Sequence, residues 1–451
     1  MNINIIETIE AFAVFKTAIE NKDIIILPTL TNPYKHPCDN ELSLIYVRVI
    51  ESGDEYIIGF NHTDTVDMDV TLLEEIQPKT IWTINQKRLL SFIKNKDIKD
   101  VDMFYYLHYN DVPQWDLNTP THLYFNRKFS QEHDINIYIP LPKHIELHQD
   151  NAGKIISIIS NHLIPNAFDF YTENLTTMYE VESQGLKVDS LLLQHYYGDK
   201  VIPYVSNDSK IFSEYNFYTS AGRPSNRYGG FNFVAIDKEK GHRRSFIPRN
   251  DALLLFDFDS YHLSLIAKLI GYEFGEKSIH TYLGRYYFGK DELTDEEYAD
   301  SKTLNFQYLY GGVPKEVREA IPFFAEVQDF YFGIWRQIKK VGYYESPLSG
   351  RKIYKKQIDE ASPTKVFNYF IQLMETEANL VLMKRINEYL RNYKSKLVLY
   401  IYDSFLFDIS QNDGKEMING LRKILKVFPT KVYFGYNYQD LQDITQTFNS
   451  E

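Results

Sequence analysis

Cysteine is almost missing from this chain: Cys38 is the only one in 451 residues. That excludes an intramolecular disulfide framework and fits a reducing compartment. Long apolar runs are missing too. Runs such as Ile24 to Leu27 and Leu253 to Phe256 fall far short of the roughly 20 residues that a bilayer-crossing helix needs. Residues 1 to 30 mix acids with apolar residues and show no basic flank ahead of an apolar stretch. No signal peptide is expected, and the expected location is cytoplasmic. Internal repeats and low-complexity linkers are absent. Positive charge is in deficit: 49 Lys and Arg against 61 Asp and Glu leave a net charge of -12. This argues against indiscriminate adhesion to nucleic acid or membrane, but not against a local site, because phosphate contacts need local positive charge only. Such clusters occur at Lys238, Lys240, Arg243 and Arg244, at Arg351, Lys352, Lys355 and Lys356, and from Lys384 to Lys396. Taken singly, each reads first as a solvated helix or loop face, with a phosphate-contact site as the alternative.

What remains is globular. The chain is 44% hydrophobic and 24% charged, and long enough for several domains. Early on, Asp23 to Leu27, Glu41 to Ile50 and Glu55 to Phe60 read as strands of a meander, separated by turn residues. Helical spacing follows at Asn85 to Lys94 and at Asn151 to Gln184, with a soft boundary near residue 150. Later, Leu253 to Phe258 reads as a buried strand, residues 276 to 340 as helical, and Leu397 to Ile409 as a tight hairpin broken at Tyr402 and Asp403. A helix (Gly414 to Val427) and a strand (Lys431 to Tyr436) close the pattern. The class is α+β.

Two aspartates carry the chemistry. Asp257 ends the run Leu253-Leu254-Leu255-Phe256, and Asp403 sits at the turn of the apolar hairpin. A carboxylate beside a buried strand is costly unless it is paired or metal-bound. Two of them on neighbouring strands could hold two divalent cations about 4 Å apart, the arrangement used for phosphoryl or nucleotidyl transfer. The plain alternative is a pair of turn residues capping strand ends. Between them, Lys302, Phe306 and Tyr310 recur every four residues and form one slanting stripe on a helix. Lysine can reach a phosphate, and the aromatics can stack on a base or base pair. An ordinary amphipathic helix with a snorkelling lysine has the same pattern. The order strand-Asp, Lys-Phe-Tyr helix, hairpin-Asp is more specific than any of its parts.

In that order the chain resembles the family A, polymerase-I-like DNA polymerases, as a reduced, phage-type member. Asp257-Phe258-Asp259-Ser260-Tyr261-His262-Leu263 is similar to their first palm motif. Ser278-Ile279-His280 is similar to the step entering the fingers, and Lys302, Phe306, Tyr310 and Gly311 match the fingers motif. Ile401-Tyr402-Asp403-Ser404 stands where the family has His-Asp-Glu. Lesser motifs keep the family order: Gly185 to Asp189, Thr219 to Ser225, Gly342-Tyr343 with Gly350-Arg351, Asn368 with Gln372, and Gly435 to Tyr438. The resemblance covers about residues 175 to 445.

The resemblance implies a right-hand polymerase fold of palm, fingers and reduced thumb, with an N-terminal exonuclease-like (RNase H-like) α/β domain. It assigns residues 1–150 to an exonuclease-like domain without the activity, with an unrelated accessory fold as the alternative, 151–215 to the reduced thumb, 216–275 and 341–451 to the palm, and 276–340 to the fingers. Asp257 and Asp403, helped by the Phe258 carbonyl, would bind two Mg²⁺ ions, with Mn²⁺ able to substitute. Lys302 would contact the triphosphate and protonate the leaving pyrophosphate, and His280 would touch the phosphates. Phe306 and Tyr310 would pack on the nascent pair. Arg223, Asn232, Arg351, Asn368 and Gln372 would contact DNA. The implied partners are primer-template DNA and dNTPs, with a processivity factor, a helicase-primase or a single-strand-binding protein as accessory candidates, and no membrane.

Departures from the family pattern matter as much. Tyr298 replaces an arginine that contacts the triphosphate, with Arg285 as an alternative source of charge. His262 replaces the glutamate that excludes ribose at the 2' position. Only 29 residues separate Asp189 from Thr219, too few for a full helical thumb, which predicts weak grip on duplex and low processivity. The run Ile24 to Leu30 lacks the Asp-x-Glu pair of a proofreading exonuclease, and Asp100 and Asp102 do not replace it. Two other readings compete. Asp403-Ser404-Phe405 is similar to a single-subunit RNA polymerase motif, although Phe306 stands where that class has methionine. A non-catalytic DNA-binding polymerase relative is the other, against which stands the joint retention of Asp257, Lys302 and Asp403. His36 with Cys38, and the histidines 144, 148 and 242, complete no metal-ligand spacing.

Overall fold

A computed structural model describes residues 3–94, 96–115, 134–226, 231–275 and 278–450. Residues 276 and 277, the first two of the expected fingers, lie outside them, as do residues 1–2, 95 and 116–133 of the expected exonuclease-like domain and 227–230 of the first palm segment. The chain divides into two compact units: Met1–Tyr218 with Ser225–Ile247, and Thr219–Pro224 with Pro248–Glu451.

The first unit is built on a six-stranded sheet. In chain order its strands are β1 (Asn4–Ile6), β2 (Asp23–Leu30), β3 (Leu42–Val49), β4 (Glu55–Gly59), β5 (Thr80–Thr83) and β6 (Ile98–Asp100), laid side by side as β1-β4-β3-β2-β5-β6. The meander read from sequence is β2, β3 and β4, all antiparallel. β5 pairs parallel to β2, β6 parallel to β5, and β1 parallel to β4. β2 and β3 are buried on both faces, which explains their uninterrupted apolar sequence. Helix α1 (Ile9–Ile19) starts at Thr8, whose hydroxyl accepts from the Ala11 amide, and buries Phe12, Phe15 and Ile19 on one side. Helices α2 (Val101–Tyr109), α3 (Leu141–Ser160) and α4 (Phe168–Glu182) follow. The composition change near residue 150 falls inside α3. It marks a passage from strands to helices, and the two units part later, at Tyr218.

Of the histidines without metal-ligand spacing, His144 and His148 are buried in the core, while His36 and His242 are half-buried. His148 Nε2 lies 2.7 Å from the Thr29 hydroxyl, His144 Nε2 3.1 Å from the Asn136 carbonyl, and His36 Nε2 3.0 Å from the Ser213 carbonyl. Asp100 caps α2 through the Met103 amide at 2.8 Å and also accepts from the Gln86 amide at 2.6 Å. It is a buried capping residue. Asp23 opens β2, but it pairs with Lys79 at the strand's outer end.

The second unit centres on β7 (Ala252–Phe258). With β8 (Lys396–Ile401), β9 (Ser404–Ile409), β10 (Thr430–Gly435) and β11 (Gln442–Asp443) it forms a sheet in the order β8-β9-β7-β10-β11. As the middle strand, β7 is paired antiparallel on both sides, which is why Leu253 to Phe256 reads as unbroken apolar sequence. Helix α5 (Tyr261–Ile270) follows β7 directly. The helical stretch read at 276–340 includes α6 (Ile279–Phe288), α7 (Asp295–Gly311) and α8 (Pro322–Val341). α7 begins with a reciprocal cap between Thr294 and Glu297. α9 (Pro363–Leu390) is the longest helix among the described residues, and α10 (Gly414–Leu425) follows the hairpin.

Candidate active site

Apart from Asn232, the residues described next lie in the second unit. Strand pairing brings the two aspartates together. Asp257 stands opposite Ser404 across the β7–β9 ladder, one residue from Asp403, and the Phe258 amide donates to the Asp403 carbonyl at 2.9 Å. Both acids sit beside strained backbone. Tyr402, at the hairpin apex, has φ +54°, and Ser260, three residues past Asp257, has φ +52°. Left-handed geometry at non-glycine residues costs of order 1 kcal/mol or more and persists where the surroundings enforce it. Here the enforcement is visible. Asn379 on α9, fully buried, donates to the Tyr402 carbonyl at 2.6 Å and to the Tyr400 hydroxyl at 3.0 Å, and accepts from the Tyr261 hydroxyl at 2.7 Å. One amide therefore ties the hairpin apex to α5 and α9.

The Asp403 side chain is open to solvent at its tip. Yet enough protein surrounds it that desolvation raises its pKa above the usual carboxylate value, with the Glu375 charge adding to the rise and Arg223 opposing it. A cation would relieve that crowding. Among the described residues no group of three or more His, Cys, Asp or Glu side chains could cage a metal. A pair of carboxylates with room for water and phosphate oxygens is the donor set that magnesium accepts. The residues fit that ion.

On α7 the stripe read from sequence is real in three dimensions. Lys302 is exposed, and the Phe306 and Tyr310 rings stack with centroids 6.0 Å apart and planes 6° apart. His280, at the start of α6, is fixed against α7. Its Nδ1 accepts from the Asn305 amide at 2.9 Å, and its main-chain carbonyl accepts from the Ser301 hydroxyl at 2.7 Å. Burial lowers its pKa to about 4, so the ring is neutral, with the proton on Nε2. Tyr298 packs edge-on against this ring.

Charge near Tyr298 comes from a residue that sequence reading missed. Lys431 on β10 lies opposite Asp257 in the ladder, and its ammonium is 3.3 Å from Asp259. Burial works against that ammonium, but Asp259 outweighs it and raises its pKa. Lys431 is also within electrostatic reach of His280 and Tyr298. Arg285, by contrast, pairs with Asp291 at 3.3 Å and lies over the Tyr282 ring.

The second missed residue is Glu375. It is 1% exposed on α9. Arg223 Nη2 donates to its Oε1 at 3.1 Å, and Arg223 Nε stands 2.9 Å from its Oε2. His262 Nε2 stands 3.2 Å from the same Oε2, while His262 Nδ1 meets the Tyr310 hydroxyl. The Arg223 guanidinium lies over the Tyr402 ring, 3.6 Å from its centroid. Of the other DNA-contact candidates, Asn368 and Gln372 are half-buried one turn apart on α9, and Asn368 donates to the Tyr310 carbonyl at 3.4 Å. Arg351 is buried, and its guanidinium crowds the space a Cβ on Gly222 would need; Gly222, at φ +76°, must be glycine. Asn232 is exposed and belongs to the first unit.

The model of DNA polymerase family A matches residues 187–437. The chain belongs to that family. Two curated family A relatives agree. DNA polymerase I of a Synechocystis species is 22% identical over 304 residues, covering 55% of this chain and 31% of the relative. DNA polymerase I of Lactococcus lactis subsp. lactis is 24% identical over 264 residues, covering 50% of this chain and 30% of the relative. The chain therefore spans under a third of these relatives' length. Among solved structures, the POL domain of Pol1 from M. smegmatis, in complex with DNA primer-template and dNTP, superposes with a TM-score of 0.71 at 15% identity. It covers 97% of this chain and 99% of that one. The fold is thus the family A polymerase fold expected from the motifs. No helix among the described residues is long and apolar enough to cross a membrane.

Proposed function

We propose that this family A chain is a primer-dependent, template-directed DNA polymerase that adds dNMPs to a 3'-hydroxyl in DNA replication. The observation that supports it most is the register of β7 and β9, which sets Asp257 against the hairpin apex carrying Asp403. These two carboxylates, with the Phe258 carbonyl, would hold two magnesium ions. Bound there, the ions supply activation of the attacking hydroxyl and charge neutralisation at the phosphates.

The protein's own groups do the rest by position. Lys302 and Lys431 bring positive charge to the triphosphate from opposite elements, α7 and β10, and Lys302 can donate a proton to the departing pyrophosphate. His280 presents a neutral Nε2 donor to a phosphate oxygen. The stacked Phe306 and Tyr310 rings form the apolar platform for the new base pair. Asn368 and Gln372 line the same face of α9 toward the duplex, and Arg223 and Arg351 hold or contact strands around it; Asn232, in the first unit, is a separate DNA-contact candidate. In the first unit, the absence of an Asp-x-Glu pair on β2 supports an exonuclease-like domain without exonuclease activity.

Single-nucleotide primer extension with Mg²⁺ tests this reading. The parent should extend with dNTPs, while Asp257→Asn and Asp403→Asn should fall by at least about a thousandfold with unchanged thermal midpoints. Extension by rNTPs alone would favour an RNA polymerase. Absence of extension with either nucleotide set would leave only a DNA-binding relative.

A further inference from the structure

The position that family resemblance assigns to sugar discrimination is held here by a ring bonded at Nδ1 to the Tyr310 hydroxyl and facing the Glu375 carboxylate at Nε2 across 3.2 Å, without an aligned hydrogen bond. His262 is 9% exposed, with Nε2 toward Glu375 and Nδ1 toward the Tyr310 phenol. A phenol donating to Nδ1 requires the proton on Nε2, where it faces the carboxylate. The imidazole thus relays between a residue of α7 and a residue of α9. Glu375 also holds Arg223, so a single carboxylate joins the Thr219–Pro224 strip, α5, α7 and α9.

Such a carboxylate, deeply buried, persists only where cationic partners balance it. Its Oε2 lies at ion-pair distance from both Arg223 Nε and His262 Nε2, yet has no aligned hydrogen-bond donor. That oxygen has bonding capacity left to use when the site closes on a nucleotide. The resemblance puts an acid at position 262 itself. Here position 262 is imidazole, and an acid reaches the same place from α9. The acid, the phenol and the guanidinium are all present, with the imidazole inserted between them.

Resting on the polymerase reading above, we propose that Glu375 is a positioning residue that fixes His262 as the sugar gate and so sets discrimination between deoxyribose and ribose. Without the carboxylate the imidazole is free to turn about its side-chain bonds, and the space beside the 2' carbon opens.

The test is the ratio of kcat/KM for dNTP over rNTP, measured by single-nucleotide extension. Glu375→Gln keeps size and shape but removes the charge. It should lower the ratio about tenfold, the scale on which one lost steric contact changes discrimination. His262→Ala should lower it at least as far. Adding His262→Glu to Glu375→Gln returns an acid to the network from α5 and should restore the ratio toward the parent value. A purely structural role for Glu375 predicts something else: kcat/KM falling equally for both sugars, with the ratio unchanged and no rescue. That result overturns the proposal. Should Glu375→Gln fail to fold, an unchanged ratio in His262→Ala overturns it equally. A parent that extends with neither nucleotide overturns the polymerase reading, and this proposal with it.

Discussion

Asn379→Leu is the sharpest test of how the hairpin apex is held. The substitution keeps the side chain's heavy-atom count and branching but removes three hydrogen bonds: to the Tyr402 carbonyl, to the Tyr400 hydroxyl and from the Tyr261 hydroxyl. Two of the three partners sit where water reaches poorly, Tyr261 at 4% and Tyr400 at 2% exposure, and Tyr402 is half-buried. A buried polar group left without a partner costs about 1–3 kcal/mol. The two phenols once shared one amide and can turn toward each other, so the loss concentrates on the Tyr402 carbonyl and part of one phenol. The expected cost is about 2–4 kcal/mol, which lowers the melting midpoint of a unit of this size by roughly 10 °C. The activity cost is separate. Tyr402 is held at φ +54° by that bond, and its release lets the apex relax and carries Asp403 with it. A misplacement of about 1 Å at a reacting group costs on the order of 100-fold in rate. Urea unfolding gives the first number, and single-nucleotide extension at a temperature where the variant is folded gives the second. Tyr400→Phe, which removes one phenol and leaves the carbonyl bond, should lose little of either. If Asn379→Leu unfolds at the parent's urea concentration, or folds poorly yet extends primers at the parent rate, the account of the apex is wrong.

Further outcomes follow from the same geometry. Lys431→Ala should raise KM for dNTP about tenfold with a smaller change in kcat, whereas Arg285→Ala should change neither, as steady-state extension will show. In the first unit, burial lowers the pKa of His36 and His144 to about 4 and that of His148 to about 3, against an ordinary 6.5. Their neutral forms are the folded ones, so stability is complete above pH 6.5 and falls as pH drops from 6.5 toward 4. Urea midpoints across that range should fall with acid, and His148→Gln should make the fall shallower. With so short a segment between Asp189 and Thr219, the number of nucleotides added per binding event should be small and should drop steeply as salt rises. Copying of kilobases in one event at physiological salt would refute that reasoning.

The parts of the site legible in sequence were those whose signal is local. Asp257 stood out because it interrupts a continuous apolar strand, as a middle strand paired on both sides must be apolar almost throughout, and Asp403 because it breaks an apolar hairpin at its turn. Lys302, Phe306 and Tyr310 stood out because fourfold spacing survives in any helix. Glu375 and Lys431 gave no such signal. Glu375 bonds Arg223 across 152 positions of sequence, and on α9 it reads as one more acid of an amphipathic helix. Its only trace is that it falls among the buried residues Leu373, Met374 and Thr376. Lys431 opens a strand and reads as a surface lysine until the ladder sets it opposite Asp257. In the first unit the antiparallel meander was readable from its long apolar runs. The parallel strands β5 and β6 were not, being four and three residues long.

The chain passes from the first unit to the second at Tyr218, returns at Ser225, and leaves again after Ile247. A protease nick or gene truncation at Ile247 would therefore not liberate an intact catalytic module. The fragment from Pro248 onward would lack Arg223, and Glu375 would lose its guanidinium partner and keep only the His262 imidazole beside it. The second unit thus draws six of its residues from a stretch of sequence enclosed within the first.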